Sequence, residues 1–497
     1  MPKTLKELVK IRRIPFDKEQ LARVAKAYEF AKKAHAGQKR KNGVDDYFEH
    51  CVETAAILVK MGLGSISTAA ALLHDVPEDT SYTMEDVERE FGKDVAFVID
   101  GVTKVGKVRL RENAQEYFLE NLRKMFLAMA ADIRVVLIKI ADRLHNMRTL
   151  EYLPEKKRER IARETMEVFV PIANRLGIGE VKGELEDLAF KYLDPENYKK
   201  IVKLEDEAFI GRQVYVDRAI KELCEEFKKE KLKVIDVHGR AKHYYSLFVK
   251  LQDRDMDITK IHDLSAIRIV LPTVANCYEA LGIVHKKYNP LIGRIKDYIS
   301  LPKPNGYRSI HTTVFGPDGK ILEIQIRTER MHDEAEYGIA AHWIYSEKKS
   351  WKDFIVGKKK NVDIPEDQLR WITQLREWQR ETGGQTDEFW ASLKIDFFKN
   401  HIFAFTPKGD VIDLPEKATP VDFAYQIHTE VGDRMESAKI NGKMVSLGHE
   451  IHNGDVVEIA TSKESKMPNR DWLKFAKTVQ AKSKIKASLR KHGIEVV

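Results

Sequence analysis

The sequence predicts a multidomain protein in which an all-α domain is followed by an α/β domain and then by a small β-rich one. Three observations carry that expectation. Apolar residues keep helical spacing through the first 200 positions, Ile321-Leu322-Glu323-Ile324-Gln325-Ile326-Arg327 alternates strictly, and turn-forming pairs recur at short intervals between 400 and 465. At 497 residues the chain exceeds one ordinary hydrophobic core, which agrees with several domains.

Residues 1–200 read as nearly all helix. Leu21, Val24, Tyr28 and Ala31 share a helical face, as do Ile66, Ala69, Ala70 and Leu73 just before His74. From 201 to 345 helices alternate with strands. Val234-Ile235-Asp236-Val237 and Ala266–Leu271 are strand-like, and Gly316-Pro317-Asp318-Gly319 is a hairpin turn. Residues 346–400 form a lysine-rich connector with one amphipathic helix, whose stripe would be Leu369, Ile372, Leu375 and Trp378. The β-rich unit spans 401–465, with turns at Pro407-Lys408-Gly409-Asp410, Asn441-Gly442 and Asn453-Gly454. A basic helical tail, 466–497, ends the chain; from Lys463 onward there are ten Lys/Arg and three Asp/Glu.

Charge and cysteine content narrow the class. With 85 Lys+Arg against 77 Asp+Glu the net charge is +8, which permits anionic ligands without requiring them. Three scattered cysteines, Cys51, Cys224 and Cys277, form neither a disulfide framework nor a metal-type pairing. No apolar run approaches membrane-spanning length, and MPKTLKELVKIRR lacks a signal-peptide core. A soluble cytoplasmic protein, not a membrane protein, is expected.

Two constellations carry chemistry. In the helical region stand His50, His74-Asp75, Glu78-Asp79 and Asp142. A His-Asp pair alone is background in a chain with 16 histidines. Asp142 changes the weighing. Ile133, Val136, Leu137, Ile140, Leu144 and Met147 fill one face of its helix, and Asp142, Asn146 and Thr149 recur on the other at i, i+4, i+7. A solvated face would carry Lys and Glu, whereas Asp, Asn and Thr suit a lined cavity. Two imidazoles and two carboxylates suit Mn²⁺ or a similar divalent ion, which lowers the pKa of bound water. Glu78 and Asp79, where Pro77 breaks the helix, could orient or deprotonate that water.

The second constellation begins with Arg240, Lys242, Ser246 and Lys250 and continues through Asp263 and Arg268. It ends in Arg294, Lys296, Lys303, Asn305, Tyr307, His311, Glu323 and Gln325. A lone basic cluster is usually surface. Here cations, two carboxylates on separate strands and a Pro-Asn-Gly loop converge, as phosphoryl or pyrophosphoryl transfer requires. Asp263 and Glu323 would supply the metal side. GxxxxGK[ST] is absent, so this is not a P-loop enzyme.

The first set, with QKRKNG, LLHDVPEDT, FGKDVAFVIDGVTK and KIADRLHNMRTL, resembles the HD phosphohydrolases and, within them, the hydrolase domain of the RelA/SpoT family. The resemblance implies removal of the 3′-pyrophosphate of ppGpp and pppGpp. His50, His74, Asp75 and Asp142 would bind Mn²⁺, and Glu78-Asp79 would be catalytic. Arg40, Lys41, Asn42, Asn146 and Thr149 would hold the nucleotide. Where the family usually has proline after the first histidine, this chain has Cys51.

GRAKHYYS, IHDLSAIRIV, KDYISLPKPNGYRSIHTTV, EIQIRT and MHDEAEYGIAAHW resemble the synthetase domain of the same family, a nucleotidyltransferase-like fold. They imply pyrophosphate transfer from ATP to the 3′-OH of GDP or GTP. Asp263 would bind Mg²⁺, and Glu323 would share it or activate the hydroxyl. Arg240, Lys242, Ser246, Lys250 and Arg268 would face ATP. Arg294, Lys296, Lys303, Asn305, Tyr307, His311 and Gln325 would face the acceptor, with Tyr307 stacked on guanine.

FAFTPKGDVIDLP and ATPVDFAYQIHTEVG resemble the β-grasp-like TGS domain, which makes His428 the expected contact with uncharged tRNA on the ribosome. By itself His428 is a histidine on a helical segment. The expected function is a bifunctional (p)ppGpp synthetase/hydrolase of the stringent response. Two alternatives stay open at this level: a member with one inactive site, and a ribosome- or tRNA-binding regulator with vestigial catalytic domains.

Overall fold

The computed structural model describes residues 4–12, 14–40, 43, 45–106, 125, 128, 131–240, 243–252, 254, 256, 266–303, 306–341, 401–452, 454–462 and 467–494. The connector stripe Leu369, Ile372, Leu375 and Trp378 lies outside them. The chain forms two compact units, Met1–Arg376 and Glu377–Val497.

The first unit opens with helices α1 (Leu5–Lys10), α2 (Lys18–Ala34), α3 (Tyr47–Lys60), α4 (Ser65–Leu73), α5 (Val76–Asp79), α6 (Met84–Phe91) and α7 (Lys93–Gly106). Val24, Tyr28 and Ala31 are buried as their spacing predicts, whereas Leu21 is exposed. Helix α8 (Ile133–Arg148) runs through the centre. Its apolar face is buried, and so are Val135, Ile138, Ala141 and His145, so only the stripe Asp142, Asn146, Thr149 and a few charged neighbours stay partly open. Pro77 does not break a helix. Helix α4 stops at Leu73, the chain turns at His74-Asp75, and Pro77 lies in the first turn of α5, where its missing N–H costs nothing.

Beyond α9 (Glu155–Glu164), a π turn (Thr165–Phe169) and α10 (Val170–Arg175) come α11 (Gly179–Leu193) and the 35-residue α12 (Pro195–Lys229). Helix α12 passes position 200 without interruption. A five-stranded sheet follows, built from β1 (Asp236–Gly239), β2 (Ala266–Leu271), β3 (Lys296–Asp297), β4 (Ile310–Phe315) and β5 (Ile321–Thr328) in the order β1-β2-β5-β4-β3. Only β2 and β5 run parallel. The first strand starts two residues later than its β-branched run suggests. Ile267, Ile269, Leu271, Leu322, Ile324 and Ile326 pack with Ala219, Leu223 and Phe227 of α12 and with Cys277, Ala280 and Val284 of α14 (Val274–Lys287). α13 (Tyr244–Gln252) lies between β1 and β2 in the chain.

The other face of β5 is polar but not solvent-facing. Gln325 and Arg327 are buried, because α15 (Glu329–Tyr337) supplies His332 and Glu336 to Arg327. The Gly316–Gly319 turn joins β4 to β5, with Asp318 and Gly319 at positive φ.

The second unit holds the hairpin β6 (His401–Phe405)–β7 (Val411–Pro415) and the sheet β10 (Val457–Thr461)–β8 (Met435–Ile440)–β9 (Lys443–Val445). Asn441 and Gly442, both at positive φ, make the two-residue turn between β8 and β9. The tail is not a free basic arm. Trp472, Ala476, Ala481, Ile485 and Leu489 pack against Val421 and Tyr425 of α16 (Pro420–Ile427), with α18 (Val479–Lys491) presenting Lys482, Lys486, Arg490 and Lys491 away from that core. Asp422, fully buried, accepts from the amides and hydroxyls of Thr419 and Thr478 and from the Lys477 amide. Asp422→Ala strands these donors. It should lower the stability of this unit by about 3 kcal/mol, read as faster hydrogen exchange at the Lys477 and Thr478 amides.

Candidate active sites

Three helices bring the first constellation together. Helix α3 carries Tyr47, His50 and Cys51 at i, i+3, i+4, the turn after α4 carries His74 and Asp75, and α8 carries Asp142. His50 Nε2 lies 3.4 Å from Asp142 Oδ1 and 3.5 Å from Asp75 Oδ2, and His74 Nε2 is 3.3 Å from Asp75 Oδ1. His74 Nδ1 sits 2.8 Å from the Ala71 carbonyl, which only accepts, so the proton is on Nδ1 and the Nε2 lone pair is open. That Nε2 is buried without a hydrogen-bond partner. His50 Nδ1 meets His145 Nδ1 at 2.7 Å; with His50 as the donor, its Nε2 lone pair also faces the carboxylates. A convergent set of acceptors with no proton between them fits a cation, and His50, His74 and Asp142 can share one.

The electrostatics agree. Burial keeps His50 below the ordinary histidine range, and burial followed by repulsion that a second proton would meet beside His50 lowers His145 to about 3, so both are neutral at pH 7. Burial opposes ionisation of Asp142, yet Lys139, 3.3 Å away, helps hold its carboxyl well below the usual range. Tyr47 OH lies 2.9 Å from Asp75 and 2.8 Å from Asp79. It has one proton for two carboxylates. Arg40 donates to Asn146 and Thr149 across more than 100 residues of sequence. Glu78 and Asp79 are exposed at the rim. Lys41 and Asn42 lie outside the described residues.

The second constellation lies on the polar face of the sheet. Cross-strand partners form one row over all five strands: Lys296, His311, Gln325, Arg268, His238. Glu323 is one step along β5 on the same face. His311 Nδ1 is 3.0 Å from Glu323 Oε1, and its Nε2 is 2.7 Å from the Tyr307 hydroxyl. Burial lowers the His311 pKa, so the neutral ring donates to Glu323 and accepts from Tyr307. Gln325 Nε2 reaches the other Glu323 oxygen at 3.4 Å. The Lys303 ammonium lies over Tyr298 (4.8 Å) and Tyr307 (5.3 Å). Crowding around that ammonium, with Lys296 and Arg240 nearby, lowers its pKa although the residue as a whole is exposed. Arg240 directly follows β1, its amide donating to the Ala266 carbonyl; Ser246 and Lys250 lie on α13, and Arg294 is exposed ahead of β3. Lys242, Asp263 and Asn305 lie outside the described residues.

Arg268 is half-buried beside Arg327, and both contact Glu336 Oε1, at 2.8 and 3.0 Å. Burial and then Arg327 lower the Arg268 pKa to about 10, which leaves it charged at neutral pH. Arg327 also reaches His332 Nδ1 at 2.7 Å. Burial and Arg327 lower His332 to about 4. Between pH 6.5 and 4 the unfolded chain therefore takes a proton there that the folded chain refuses. The stabilisation from this neutral histidine is fully present above pH 6.5 and is lost as pH falls toward 4. The melting-temperature advantage of wild type over His332→Gln should shrink across that window; an advantage independent of pH would contradict it.

Sequence reasoning missed His145, Tyr47, Lys139, Tyr298, His332 and Glu336. Two had a signal, since His145 follows Asp142 by three and Glu336 follows His332 by four on helices. In the second unit, His428 is not on a helix. It is the exposed N-cap between α16 and α17 (Thr429–Asp433), where its Nδ1 accepts from the Glu430 amide at 3.2 Å.

Family models match in the same order as these sites: an HD domain over residues 27–179, a region found in RelA/SpoT proteins over 239–350, and a TGS domain over 402–461. The chain is 48% identical over 474 residues to a GTP pyrophosphokinase of Streptomyces coelicolor, which covers 94% of this chain and 55% of the relative. It is 46% identical over 483 residues to the bifunctional (p)ppGpp synthase/hydrolase RelA of Mycobacterium tuberculosis, covering 97% and 64%. It is 44% identical over 475 residues to a guanosine-3′,5′-bis(diphosphate) 3′-pyrophosphohydrolase of Aquifex aeolicus, covering 95% and 65%. The chain thus spans between about half and two thirds of the length of these relatives. No helix among the described residues is long and apolar enough to cross a membrane. With HD, synthetase and TGS domains in series, and with this identity along nearly its whole length, the chain belongs to the RelA/SpoT family.

Proposed function

We propose that this chain both makes and degrades guanosine 3′-pyrophosphates. It transfers the pyrophosphoryl group of ATP to the 3′-hydroxyl of GDP or GTP, releasing AMP, and hydrolyses the product to GDP or GTP and pyrophosphate. One observation carries the reading: a convergent imidazole–carboxylate set with an orphaned His74 Nε2, and a separate cation-rich row around Glu323, occur in the same unit.

At the hydrolytic site His50, His74, Asp75 and Asp142 hold a divalent cation, Mn²⁺ in this proposal, which supplies water activation and charge neutralisation when bound. Arg40, Asn146 and Thr149, with Lys41 and Asn42, hold the nucleotide. Glu78 and Asp79 orient the attacking water and take its proton, and the Tyr47 hydroxyl steadies Asp79. At the synthetic site Glu323 takes the proton of the 3′-hydroxyl, with His311 fixing its carboxylate through Nδ1–H. Tyr307 stacks on guanine while Arg294, Lys296, Lys303, Asn305 and Gln325 gather the acceptor. Arg240, Lys242, Ser246, Lys250 and Arg268 neutralise ATP, and Asp263 and Glu323 would hold Mg²⁺, which would supply further charge neutralisation. In the second unit the TGS domain, through His428 and the cations of α18, engages uncharged tRNA on the cytoplasmic ribosome during amino-acid starvation.

The test is two incubations of the full chain, ATP plus GDP with Mg²⁺ and ppGpp plus Mn²⁺. Both products are expected. Activity in only one makes the chain monofunctional, and activity in neither sinks the reading.

Running both reactions together would only convert ATP to AMP and pyrophosphate, so the sites should be coupled. Helix α11 touches an element beside each. Glu184 pairs with Arg148 of α8 at 2.6 and 2.7 Å, and Asp187 meets His243 Nδ1, three residues past Arg240, at 2.8 Å. A non-hydrolysable ATP analogue should weaken ppGpp binding to a Glu78→Gln variant by about 5-fold or more, and Asp187→Asn should reduce that effect. Identical affinity with and without the analogue would refute coupling.

A further inference from the structure

Cys51 lies at the hydrolytic cation site and is not absorbed by the mechanism above. It is one residue beyond His50 on α3, fully buried, and on the helix face that also carries Tyr47. Its Sγ, a His74 ring nitrogen and an Asp75 carboxylate oxygen lie within 4.8 Å of one another. His74 Nε2, on a side chain 1% exposed and lacking a hydrogen-bond partner, points into the same space. Cation–thiolate and cation–imidazole bonds of about 2.3 and about 2.0–2.1 Å span such separations with small side-chain rotations. The Cys51–His74–Asp75 and His50–His74–Asp142 triads share His74, and Asp75 is 3.5 Å from His50 Nε2. Both therefore describe one pocket.

The alternative is that Cys51 is only a small apolar filler, the commonest role of a buried thiol. Packing alone leaves its environment unexplained, because an Asp75 carboxylate oxygen and a ring nitrogen of His74 lie within 4.8 Å of its Sγ. A hydrocarbon-like filler desolvates those groups, while a thiolate donor completes their coordination.

On the reading that His50, His74, Asp75 and Asp142 hold a cation, we infer that Cys51 is a further ligand to it. It makes the site a mixed nitrogen–oxygen–sulfur centre with a bias toward thiophilic divalent ions. A soft donor added to imidazole and carboxylate strengthens binding of Zn²⁺, Cd²⁺ and Co²⁺ far more than that of Mn²⁺, which prefers oxygen. On coordination the thiol proton leaves to solvent as the S–metal bond forms, so no oxidant or reductant is needed.

The experiment is Co²⁺ and Cd²⁺ titration of the full chain after removal of metal by chelation. Wild type should develop visible cobalt bands together with a near-ultraviolet thiolate-to-cobalt charge-transfer band. Cys51→Ser should keep the visible bands and lose the near-ultraviolet one, and Cys224→Ser and Cys277→Ser should keep both. Cd²⁺ affinity of Cys51→Ser should fall about 10-fold or more, while Mn²⁺ affinity changes by less than about 3-fold. Cys51→Ala, which puts no polar group in the pocket, repeats the comparison should the serine variant not fold. Cobalt bound at the synthetic site survives His74→Ala and is subtracted. Visible bands that depend on His74 without a near-ultraviolet band, or a near-ultraviolet band that survives Cys51→Ser, overturn the inference about Cys51 alone. Absence of any His74-dependent cobalt binding overturns the cation-site reading and this inference with it.

Discussion

Asp142→Ala should abolish hydrolysis and leave synthesis running. The carboxylate does three things at once. It faces His50 Nε2 at 3.4 Å, accepts from Asn146 at 2.6 Å and pairs with Lys139 at 3.3 Å. Its loss removes an anionic donor from the proposed cation site, frees the Asn146 amide that it holds, and leaves the Lys139 ammonium without its partner. Cation affinity should fall on the order of 10–100-fold, and the Mn²⁺-dependent rate on the order of 10²–10³-fold or more. The row around Glu323 lies on a separate sheet and should be untouched. Asp75→Ala should behave alike, with the added loss of one acceptor for Tyr47. The measurement is pyrophosphate release from ppGpp beside AMP formation from ATP plus GDP. Full hydrolysis by either variant would reject the assignment of both carboxylates.

Glu323→Gln should remove synthesis by lowering kcat, with GDP and ATP still bound. The amide is nearly isosteric and can keep a contact with His311, so binding survives while proton acceptance does not. A fall on the order of 10²–10⁴-fold is the ordinary range for losing a general base. Tyr307→Ala should separate from it by raising the acceptor KM about 10-fold, since stacking contributes about 1–3 kcal/mol per base. Tyr307→Phe divides the roles of that side chain. It keeps the ring and loses only the hydroxyl on His311 Nε2, so KM should stay near wild type and kcat should drop modestly. If Glu323→Gln altered only the KM for GDP, its place in the chemistry would be wrong.

What could be read from the sequence follows from what repeats locally. The alternation in Ile321–Arg327 gave the strand and its two faces, because period two is a property of the backbone. It did not tell that the polar face is roofed by α15, since that depends on a helix folding back from Glu329. Gln325 and Arg327 are consequently buried where alternation suggests an outward face. In the same way the i, i+4, i+7 stripe of α8 was legible, but the His50–His145 contact joins residues 95 apart and leaves no local trace. The tail reads as a basic arm by composition. Its apolar residues recur at Ala481, Ile485 and Leu489, and that weaker periodicity is what docks it on α16. His428 shows the limit at element ends. A histidine beside Thr429 reads as helical, and only backbone geometry reveals a cap.

The seam between α10–α11 and α15 has almost no thickness. Gly338, at φ 56°, lies so close to the chain at Leu176–Ile178 that an added methyl carbon would fall 2.0 Å from the Leu176 carbonyl oxygen. The Ile339 amide donates to that same carbonyl at 2.9 Å. Likewise a carbon on Gly179 would meet the Ala335 carbonyl at 2.6 Å, and one on Gly183 the His243 ring at 2.2 Å. Main chain rides on main chain here, as parts of a machine do on a bearing with no shim. At Gly338 and Gly179 backbone meets backbone with no room for a side chain to absorb a displacement, and at Gly183 the helix abuts the His243 ring, which Asp187 holds. A displacement of either side must therefore be passed on whole or else unseat the joint, and a single alanine at any of these glycines would act as grit between the surfaces.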